Sequence, residues 1–295
     1  MRFPLSLCTI TLALVAAPLG AQNLVSNGSF ETGNTAGWSF GGHTLNAKVD
    51  AFDTTGGGAS KCFNNMPGGK QTPGPYPVNW MEQDVLIIQG VVHEFRADIA
   101  TTQTFTSTNA DGGTIVAYVD GVAVATHAFG SISSMAVERT RLCGRIVPKT
   151  TGKKKLRITF HRRFLTALNR TPTCFIDNIF LGRTSGLTVC FPGERKAGAT
   201  VGIQALGNPG NKFAIFLGVG QQTPALPIPG WTGAWELKSP YFPLVIGTLD
   251  TSGQWRLAAS VPASAKGAKA WVQGAMAAPS SPVVNLGYGQ EINVY

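Results

Sequence analysis

The feature that most constrains this chain is the close spacing of its turn-forming residues. Glycine and proline account for 36 and 18 of the 295 residues, and they recur at short intervals throughout. This spacing suits many short strands joined by turns far better than long helices. Hydrophobic residues make up 43% of the chain and charged residues 13%, a composition that excludes collagen and coiled coils. The sequence therefore predicts an all-β fold.

The first 21 residues have the organisation of a secretory signal peptide. Arg2 precedes an apolar run over residues 3–17, and small residues follow up to Ala21. This run is shorter than the roughly 20 residues that a membrane span requires, and no later segment has that character. We therefore expect residues 1–21 to be removed and the protein to be secreted, or held at the cell surface, without a transmembrane segment.

The mature chain shows two successive sets of strand patterns. In residues 22–185 the predicted strands are 59–63, 80–88, 93–100, 113–119, 137–147, 155–164 and 174–181, with shorter pieces near 23–30 and 122–129. In residues 186–295 they are 187–191, 200–206, 212–219, 235–237, 244–248, 255–261, 269–277 and 291–295. We expect two domains that meet near residue 185, the second being a smaller β-sandwich.

Two connections are predicted from their turn residues. Asp120 and Gly121 separate two β-branched runs, and both residue types tolerate positive φ, which predicts a tight hairpin. Residues 221–230 contain three prolines. Because proline cannot donate to a strand ladder, we expect this segment to be a loop.

Both ends of residues 22–185 resemble one known family. Residues 23–33 read NLVSNGSFETG, Gly37 and Trp38 follow, and residues 175–181 read FIDNIFL. These segments resemble the entry and closing strands of secreted jelly-roll carbohydrate-binding modules with the galactose-binding-like fold. The resemblance implies a jelly-roll β-sandwich that binds a polysaccharide or cell-surface glycan without catalysis. Residues 186–295 resemble small C-terminal β domains of secreted bacterial proteins, which implies no particular chemistry.

The same resemblance implies a structural calcium ion. In the resembled fold the first and last segments lie side by side and hold the ion, which makes Glu31 and Asp177 its candidate ligands. Carboxylate and carbonyl oxygens are the ligands that this hard cation takes. The alternative is that Glu31 caps a turn and that Asp177 accepts backbone N–H bonds.

Four cysteines remain once the leader, with Cys8, is removed: Cys62, Cys143, Cys174 and Cys190. An even number in an oxidising compartment predicts two disulfides. Three pairings are possible, and we favour Cys62 with Cys174. Their spacing contains no close pair of the kind that binds zinc.

A basic stripe is predicted from strand alternation. Apolar side chains alternate with polar ones in residues 93–100 and 155–164, which directs the apolar set to the core. If these strands are neighbours in one sheet, as the resemblance implies, four basic residues share its outer face: Arg96, Arg157, His161 and Arg163. Guanidinium groups pair with carboxylate or sulfate, so an acidic polysaccharide is a candidate ligand. The alternative is an ordinary solvated sheet face.

Aromatic residues supply the candidate sugar-stacking surfaces. Tyr76 and Trp80 lie in or beside a proline-rich loop, and flat rings can cover the apolar faces of sugars. Trp38 occupies a position that the resembled family uses for core packing. We therefore expect Tyr76 and Trp80 to contact the ligand and Trp38 to be buried.

Neither catalysis nor nucleic-acid binding is predicted. The formal net charge is +9, but the basic run over residues 149–157 reads as a hairpin tip without interleaved aromatics. The chain lacks the G-x-S-x-G, H-E-x-x-H and phosphate-loop patterns, and its histidines are scattered. We predict a secreted, non-catalytic carbohydrate-binding protein. The alternatives are a structural or adhesive surface protein and an accessory domain of a hydrolase.

Overall fold

The computed structural model describes residues 22–42, 48–66, 78–104, 110–162 and 172–295. The predicted signal peptide and two candidate ligand residues, Tyr76 and Arg163, lie outside these ranges. The regular elements of the described chain are almost all strands, which confirms the all-β prediction. Its one helical element is a 3-10 turn over Ala263–Ala265, and none of the described segments forms a helix that is long and apolar enough to cross a membrane.

The strands are numbered in chain order. They are β1 (Ser39–Gly41), β2 (Lys48–Phe52), β3 (Ser60–Asn65), β4 (Asn79–Ile87), β5 (His93–Thr102), β6 (Ala110–Asp111), β7 (Thr114–Val119), β8 (Val122–Ala128), β9 (Ser131–Ile132), β10 (Val137–Ile146), β11 (Gly152–His161), β12 (Thr173–Arg183), β13 (Thr188–Cys190), β14 (Thr200–Leu206), β15 (Lys212–Gly218), β16 (Gln221–Pro227), β17 (Trp231–Thr232), β18 (Ala234–Leu237), β19 (Tyr241–Thr248), β20 (Gln254–Ser260), β21 (Lys269–Ala277), β22 (Val284–Leu286) and β23 (Gln290–Asn293).

The N-terminal region is a sandwich of two antiparallel five-stranded sheets. The front sheet has the order β1-β4-β11-β7-β8, and the back sheet has the order β10-β5-β12-β3-β2. Alternate residues of each strand point between the sheets, as the period of two requires. Met81 and Ile158 of the front sheet thus share a buried core with Phe63, Ile99 and Ile176 of the back sheet. The core also contains Trp38, as predicted.

The entry segment lies beside the closing strand but is not itself a strand. Leu24 donates its N–H to the Leu181 carbonyl, and Ile179 donates to the Gly28 carbonyl. Residues 25–29 nevertheless form a bend and a turn, because Asn27 and Phe30 have φ values of 49° and 53° and left-handed residues interrupt an extended chain. The prediction of an extended piece here is wrong, although the adjacency implied by the resemblance is present.

The hairpin prediction at residues 119–122 is confirmed. β7 and β8 pair in antiparallel register up to Val119 and Val122. Asp120 and Gly121 between them have φ values of 53° and 77°, which a two-residue hairpin turn of the primed type requires. The hairpin fixes the position of the neighbouring β7 side chains on the front sheet.

The C-terminal region contains three sheets, of three, six and two strands. β13, β14 and β20 form one, and β17, β22, β21, β15 and β19 form another, to which β23 adds by pairing with β21. Leu187, Ile203, Ile215 and Val272 are buried together between them. β16 and β18 form a separate two-stranded sheet.

The prediction that residues 221–230 form a loop is wrong for residues 221–227. β16 pairs with β18, but its register shifts between Gln221 and Leu226. Pro224 lies within that shift, where no ladder hydrogen bond is required of it. A proline-containing segment can therefore be a strand when it lies at an edge and is irregular.

The two regions meet along the outer face of the back sheet. Arg141 on β10 donates from Nε to Asp98 Oδ1 (2.7 Å) and from Nη2 to Asp98 Oδ2 (3.0 Å), and its Nη1 donates to Gln290 Oε1 (2.8 Å). Thr188 donates to Glu94 Oε2 at 2.7 Å. The division into two domains near residue 185 remains a prediction, but side chains from both sides of it share these contacts.

One disulfide, between Cys143 and Cys190, joins the two regions, with the Cα atoms 6.1 Å apart. Cys62 and Cys174 are buried free thiols, so the predicted Cys62–Cys174 bridge is wrong. Cys174 faces the sandwich core, whereas Cys62 packs with Ala100 and Phe175 on the other side of the back sheet. Two cysteines on opposite faces of a sheet cannot bring their sulfur atoms together.

Candidate functional site

A pocket of about 630 Å³ opens on the outer face of the front sheet. We call it the front pocket. Its walls come from the residue that precedes β4, from β7 and β11, and from the turn that follows β7. The lining residues are Val78, Tyr118, Asp120, Gly121, Lys155, Arg157, Thr159 and His161.

The strand register explains how these side chains converge. Arg157, at the middle of β11, lies between Glu82 on β4 and Tyr118 on β7. Thr159 lies between Trp80 and Val116 in the same way. Since intervening β11 residues such as Ile158 are buried in the core, Arg157, Thr159 and His161 point outward together, as the alternation predicted for Arg157 and His161.

The positive charges of the front pocket are balanced by carboxylates. Arg157 Nε donates to Glu82 Oε2 at 2.8 Å, and Lys155 Nζ lies 3.1 Å from Glu82 Oε1 and 3.3 Å from Asp84 Oδ1. Burial opposes ionisation of Glu82, but the bonds from Arg157 and Lys155 outweigh it and hold the pKa of Glu82 below its usual value. The pocket is therefore a network of ion pairs and not a bare basic stripe.

Trp80 supports the arginine of this network. Arg157 Cζ lies 4.6 Å from the centroid of the Trp80 ring, a cation–π arrangement. A Cβ atom at position 41 would overlap the indole, so Gly41 on β1 lets the ring lie close to the neighbouring strand. Trp80 is half-buried and beside the pocket lining. A sugar-stacking role for it stays a prediction.

The aromatic residue that lines the front pocket is Tyr118, which the sequence reasoning did not select. Its signal was present, because Ile115, Ala117 and Val119 are apolar and leave Val116 and Tyr118 to face outward. Its place opposite Arg157 depends on the β7–β11 register, which the sequence does not reveal. Tyr118 is half-buried, so part of its ring is open to solvent.

Arg96 does not join Arg157 and His161. It lies on β5, in the back sheet, and its guanidinium contacts Glu94 at 3.0 Å and stacks over the Phe180 ring at 4.6 Å. The prediction of one shared basic face is wrong for Arg96, since β5 and β11 belong to different sheets. A period of two identifies the face that a side chain occupies but not the sheet to which its strand belongs.

The candidate calcium ligands lie near each other, beside the start of β3. Asp177 is fully buried, and its carboxyl accepts from Ser60 Oγ (2.6 Å) and from the Asn178 N–H (2.7 Å). Glu31 accepts from the Lys61 N–H at 3.3 Å. Burial raises the pKa of Asp177 to about 7, and the negative charges of Asp98 and Glu31 add to that rise.

This carboxylate pair fits calcium only in part. A cation would relieve the repulsion that Asp177 experiences, but Ca²⁺ takes six to eight oxygens. Within the described ranges, no three acidic, histidine or cysteine side chains cluster as a metal site. Backbone oxygens would have to complete the shell, and calcium remains a prediction.

Comparisons with known proteins identify no family. No family model and no curated protein matches the sequence. Among solved structures, the chain is similar to the carbohydrate-binding module TmCBM61 in complex with beta-1,4-galactotriose, with 17% identity, a TM-score of 0.36, and coverage of 55% of this chain and 99% of that one.

Two further structures illustrate the range of similar proteins. The CBM22-1 xylan-binding domain from Paenibacillus barcinonensis Xyn10C is 14% identical, with a TM-score of 0.32 and coverage of 57% of this chain and 97% of that one. The beta-glucuronidase 2 of Bacteroides uniformis is 9% identical, with a TM-score of 0.32 and coverage of 92% and 32%. With TM-scores below 0.5, these similarities carry no weight for function.

Proposed function

We propose that this protein is a secreted, non-catalytic carbohydrate-binding protein whose front pocket holds a sugar chain. The observation that carries the proposal is the convergence, in a pocket of about 630 Å³, of Tyr118 with the polar side chains of Lys155, Arg157, Thr159 and His161. A volume of this size and a few placed polar groups beside an aromatic ring are typical of small-ligand sites. Tyr118 offers a flat apolar surface, and the polar side chains offer partners for sugar hydroxyl groups.

The charge balance favours an uncharged sugar segment in this pocket. Arg157 and Lys155 already share Glu82, so the carboxylate of an acidic sugar would compete with a partner that is held in place. Hydroxyl groups need no such exchange, because they can accept from the remaining N–H groups. If the ligand is an acidic polysaccharide, its charged groups must therefore bind elsewhere on the protein.

Secretion is part of the proposal and is supported by the Cys143–Cys190 bridge. Disulfides persist in oxidising compartments and are rare in the cytosol. The bridge agrees with the leader pattern of residues 1–21.

The experiment is a binding survey followed by one substitution. The protein is tested by affinity electrophoresis against neutral and acidic soluble polysaccharides, and the best ligand is titrated by calorimetry. Tyr118→Ala should weaken binding about tenfold, because removal of a stacking ring costs roughly 1.4 kcal/mol.

Tyr241→Ala, which removes a tyrosine that is 48% exposed in the C-terminal region, is the matched control and should bind like the wild type. Equal affinities of the Tyr118 variant and the wild type would move the site away from the front pocket. Absence of binding to every polysaccharide would contradict the proposal.

The structural or adhesive alternative has one observation in its favour. β19 is the last strand of the six-stranded sheet, and it exposes 58% of Phe242 and 73% of Ile246. Exposed apolar edge strands promote association with other chains. Concentration-dependent self-association in sedimentation experiments, without glycan binding, would favour this alternative.

A further inference from the structure

A second pocket, of about 380 Å³, lies where the N-terminal and C-terminal regions meet. We call it the junction groove. β8 and β10 end the front and back sheets, so the groove runs along an open edge of the sandwich. Its other wall is formed by the end of β14 and by the turn that leads into β20. Its polar and charged lining side chains include Thr126, Arg145, Gln204, Ser252, Gln254 and Arg256.

The closeness of two strands places Arg145 in this groove. A Cβ atom on Gly144 would overlap the Val124 carbonyl oxygen, so only glycine lets β10 approach β8 this closely. The adjacent Cys143 is bonded to Cys190 of the C-terminal region. Arg145 Nη1 then donates to the Leu206 carbonyl at 2.7 Å, which holds the guanidinium against the end of β14.

Arg145 lacks a carboxylate partner among the described residues. Glu94 is its partner in the β5–β10 register, but the Glu94 carboxylate is bound by Arg96 at 3.0 Å and by Thr188 at 2.7 Å. Nη2 of Arg145 is buried and makes no hydrogen bond within the described part of the chain. A buried donor without a partner costs roughly 1–3 kcal/mol, and the charge of Arg145 is left without a counter-charge at the wall of the groove.

The opposite wall of the groove adds donors. Arg256 is exposed, and its Nη2 donates to Gln254 Oε1 at 3.0 Å. Gln204 Nε2 donates to the same oxygen at 3.2 Å. These two donors occupy the side-chain oxygen of Gln254, so the side-chain NH₂ group of Gln254 remains to donate to a ligand.

Asp250, an acidic residue beside this wall, is hydrogen-bonded within the turn that leads into β20. Asp250 accepts from the N–H groups of Ser252 (2.8 Å) and Gln254 (2.9 Å) and from Ser252 Oγ (2.7 Å). All three bonds end on Oδ1, which holds the carboxylate against the turn that shapes the groove. The residues that line the groove include two arginines and no acid.

From this arrangement we propose that the junction groove binds an oxyanion, a carboxylate or a sulfate, carried on a sugar unit. Guanidinium groups bind both oxyanions through charge-assisted hydrogen bonds. At about 380 Å³ the groove is large enough for a ring as well as the charged group. The oxyanion part stands on the groove alone, whereas the sugar part rests on the carbohydrate-binding function proposed above.

The first test uses inorganic sulfate, titrated by calorimetry at low ionic strength. Sulfate should bind to the wild type at one saturable site. Arg256→Gln should weaken it about fivefold, and Arg145→Gln should weaken it further, because charge-assisted bonds are lost. Lys266→Gln removes an exposed charge from a different loop and serves as the control with unchanged affinity.

Arg256 is exposed, so its variant tests the groove even if Arg145→Gln disturbs the junction. Equal sulfate affinities in Arg256→Gln and Lys266→Gln, or no saturable binding by the wild type, would overturn the proposal.

The second test compares an oligogalacturonide with a neutral galacto-oligosaccharide of equal length. Tighter binding of the acidic chain, reduced in Arg256→Gln, would support the sugar part and identify a carboxylate on a sugar as the source of the oxyanion. Sulfate binding without any preference for the acidic chain would overturn the sugar part and leave an inorganic oxyanion site. The sulfate result does not depend on the front pocket, so failure of the proposed function is seen separately.

Discussion

Arg157 on the front sheet and Arg145 at the junction each lie opposite a glutamate in the strand register, but only Arg157 forms an ion pair with it. Arg157 faces Glu82 across the β4–β11 pair and binds it. Arg145 faces Glu94 across the β5–β10 pair, but Glu94 is bound by Arg96 and Thr188 instead. An arginine opposite a glutamate is thus neutralised in one case and left without a carboxylate partner among the described residues in the other. Cross-strand register establishes which groups are near each other, and competition among neighbours decides which of them pair.

The front pocket and the junction groove also differ in the contacts that hold their walls in place. The front pocket lies on the outer face of one hydrogen-bonded sheet, and the inner face of that sheet belongs to a single buried core. The junction groove lies between regions that are joined by a disulfide and by side-chain contacts. We therefore expect a substitution at the junction to reduce the affinity for an oxyanion more than the affinity for a neutral sugar.

Removal of the disulfide should have the largest effect. The bridge closes a loop with a sequence separation of 47, for which loop-closure entropy gives about 4 kcal/mol of stabilisation. The double variant Cys143→Ser/Cys190→Ser should lose about that much unfolding free energy in urea denaturation, and it should lose sulfate binding before neutral-glycan binding. A reducing agent should destabilise the wild type but not this variant; loss of stability in both would assign the effect to another group.

Thiol titration checks the same bridge. Burial raises the pKa of the Cys62 and Cys174 thiols to about 12, so neither should react in the folded protein. Unfolding of the mature, unreduced protein should expose two thiols, and reduction should raise the number to four. Four reactive thiols before reduction would contradict the bridge, and none would restore the sequence-based expectation of a second disulfide.

Two glycine substitutions, one beside each site, should have intermediate effects on stability. Gly144→Ala sets a methyl group against the Val124 backbone oxygen and should cost about 3 kcal/mol, because overpacking against backbone is hard to relieve. In Gly41→Ala the three atoms nearest to the added methyl group all belong to the Trp80 indole, a side chain that can move, and the cost should be about 1 kcal/mol. Urea denaturation measures both costs.

The glycine variants should also separate the two sites. Gly41→Ala should displace the ring beneath Arg157 and weaken neutral-sugar binding while it spares sulfate. Gly144→Ala should weaken sulfate binding and leave neutral-sugar binding unchanged. A larger stability loss in Gly41→Ala than in Gly144→Ala would mean that the indole is held more rigidly than its half-buried position suggests.

An effect that depends on pH is expected at Asp177, which lies opposite Asp98 in the β5–β12 register, next to the junction. Burial raises its pKa from 3.8 to about 7 in the folded protein, so the folded state holds a proton that the unfolded state releases above pH 4. This contribution is complete below the unfolded pKa and is lost as the pH rises through about 7. Between pH 5 and pH 7 the wild type should lose about 2 kcal/mol relative to Asp177→Asn.

Chemical denaturation at the two pH values measures this difference, and calcium provides its control. If calcium binds at Glu31 and Asp177, it requires the ionised carboxylate and should stabilise the wild type at pH 7 more than at pH 5. Asp177→Asn should remove that response. Parallel pH profiles for the variant and the wild type would show that Asp177 is ionised throughout, and an identical transition with calcium and with chelator would contradict a calcium site.

The sequence was informative wherever local residues decide the structure. Alternation placed Arg157 and His161 on an outer face and Ile158 in the core, and the Asp120-Gly121 pair located a hairpin. These features depend on the two-residue period of a strand and on the backbone freedom of turn residues. They were predictable from a few adjacent positions.

Long-range features were not predictable in the same way. The sheet that contains Arg96, the partner of Cys143 and the isolation of Arg145 all depend on which distant strands lie side by side. Tyr118 was missed because its importance comes from the β7–β11 register. The error at β16 has a different cause, since proline is excluded from a regular central strand but not from an irregular strand at an edge.

The Cys143–Cys190 bridge also has a consequence for cleavage of the chain. A protease that cuts once at any peptide bond between these two residues produces two fragments that stay covalently joined. A cut beyond Cys190, within residues 191–198, instead produces a C-terminal fragment held by noncovalent contacts alone. Single nicks a few residues apart would therefore differ in outcome: one leaves a full-mass species on a non-reducing gel, and the other separates a part that contains Arg256 from a part that contains Arg145.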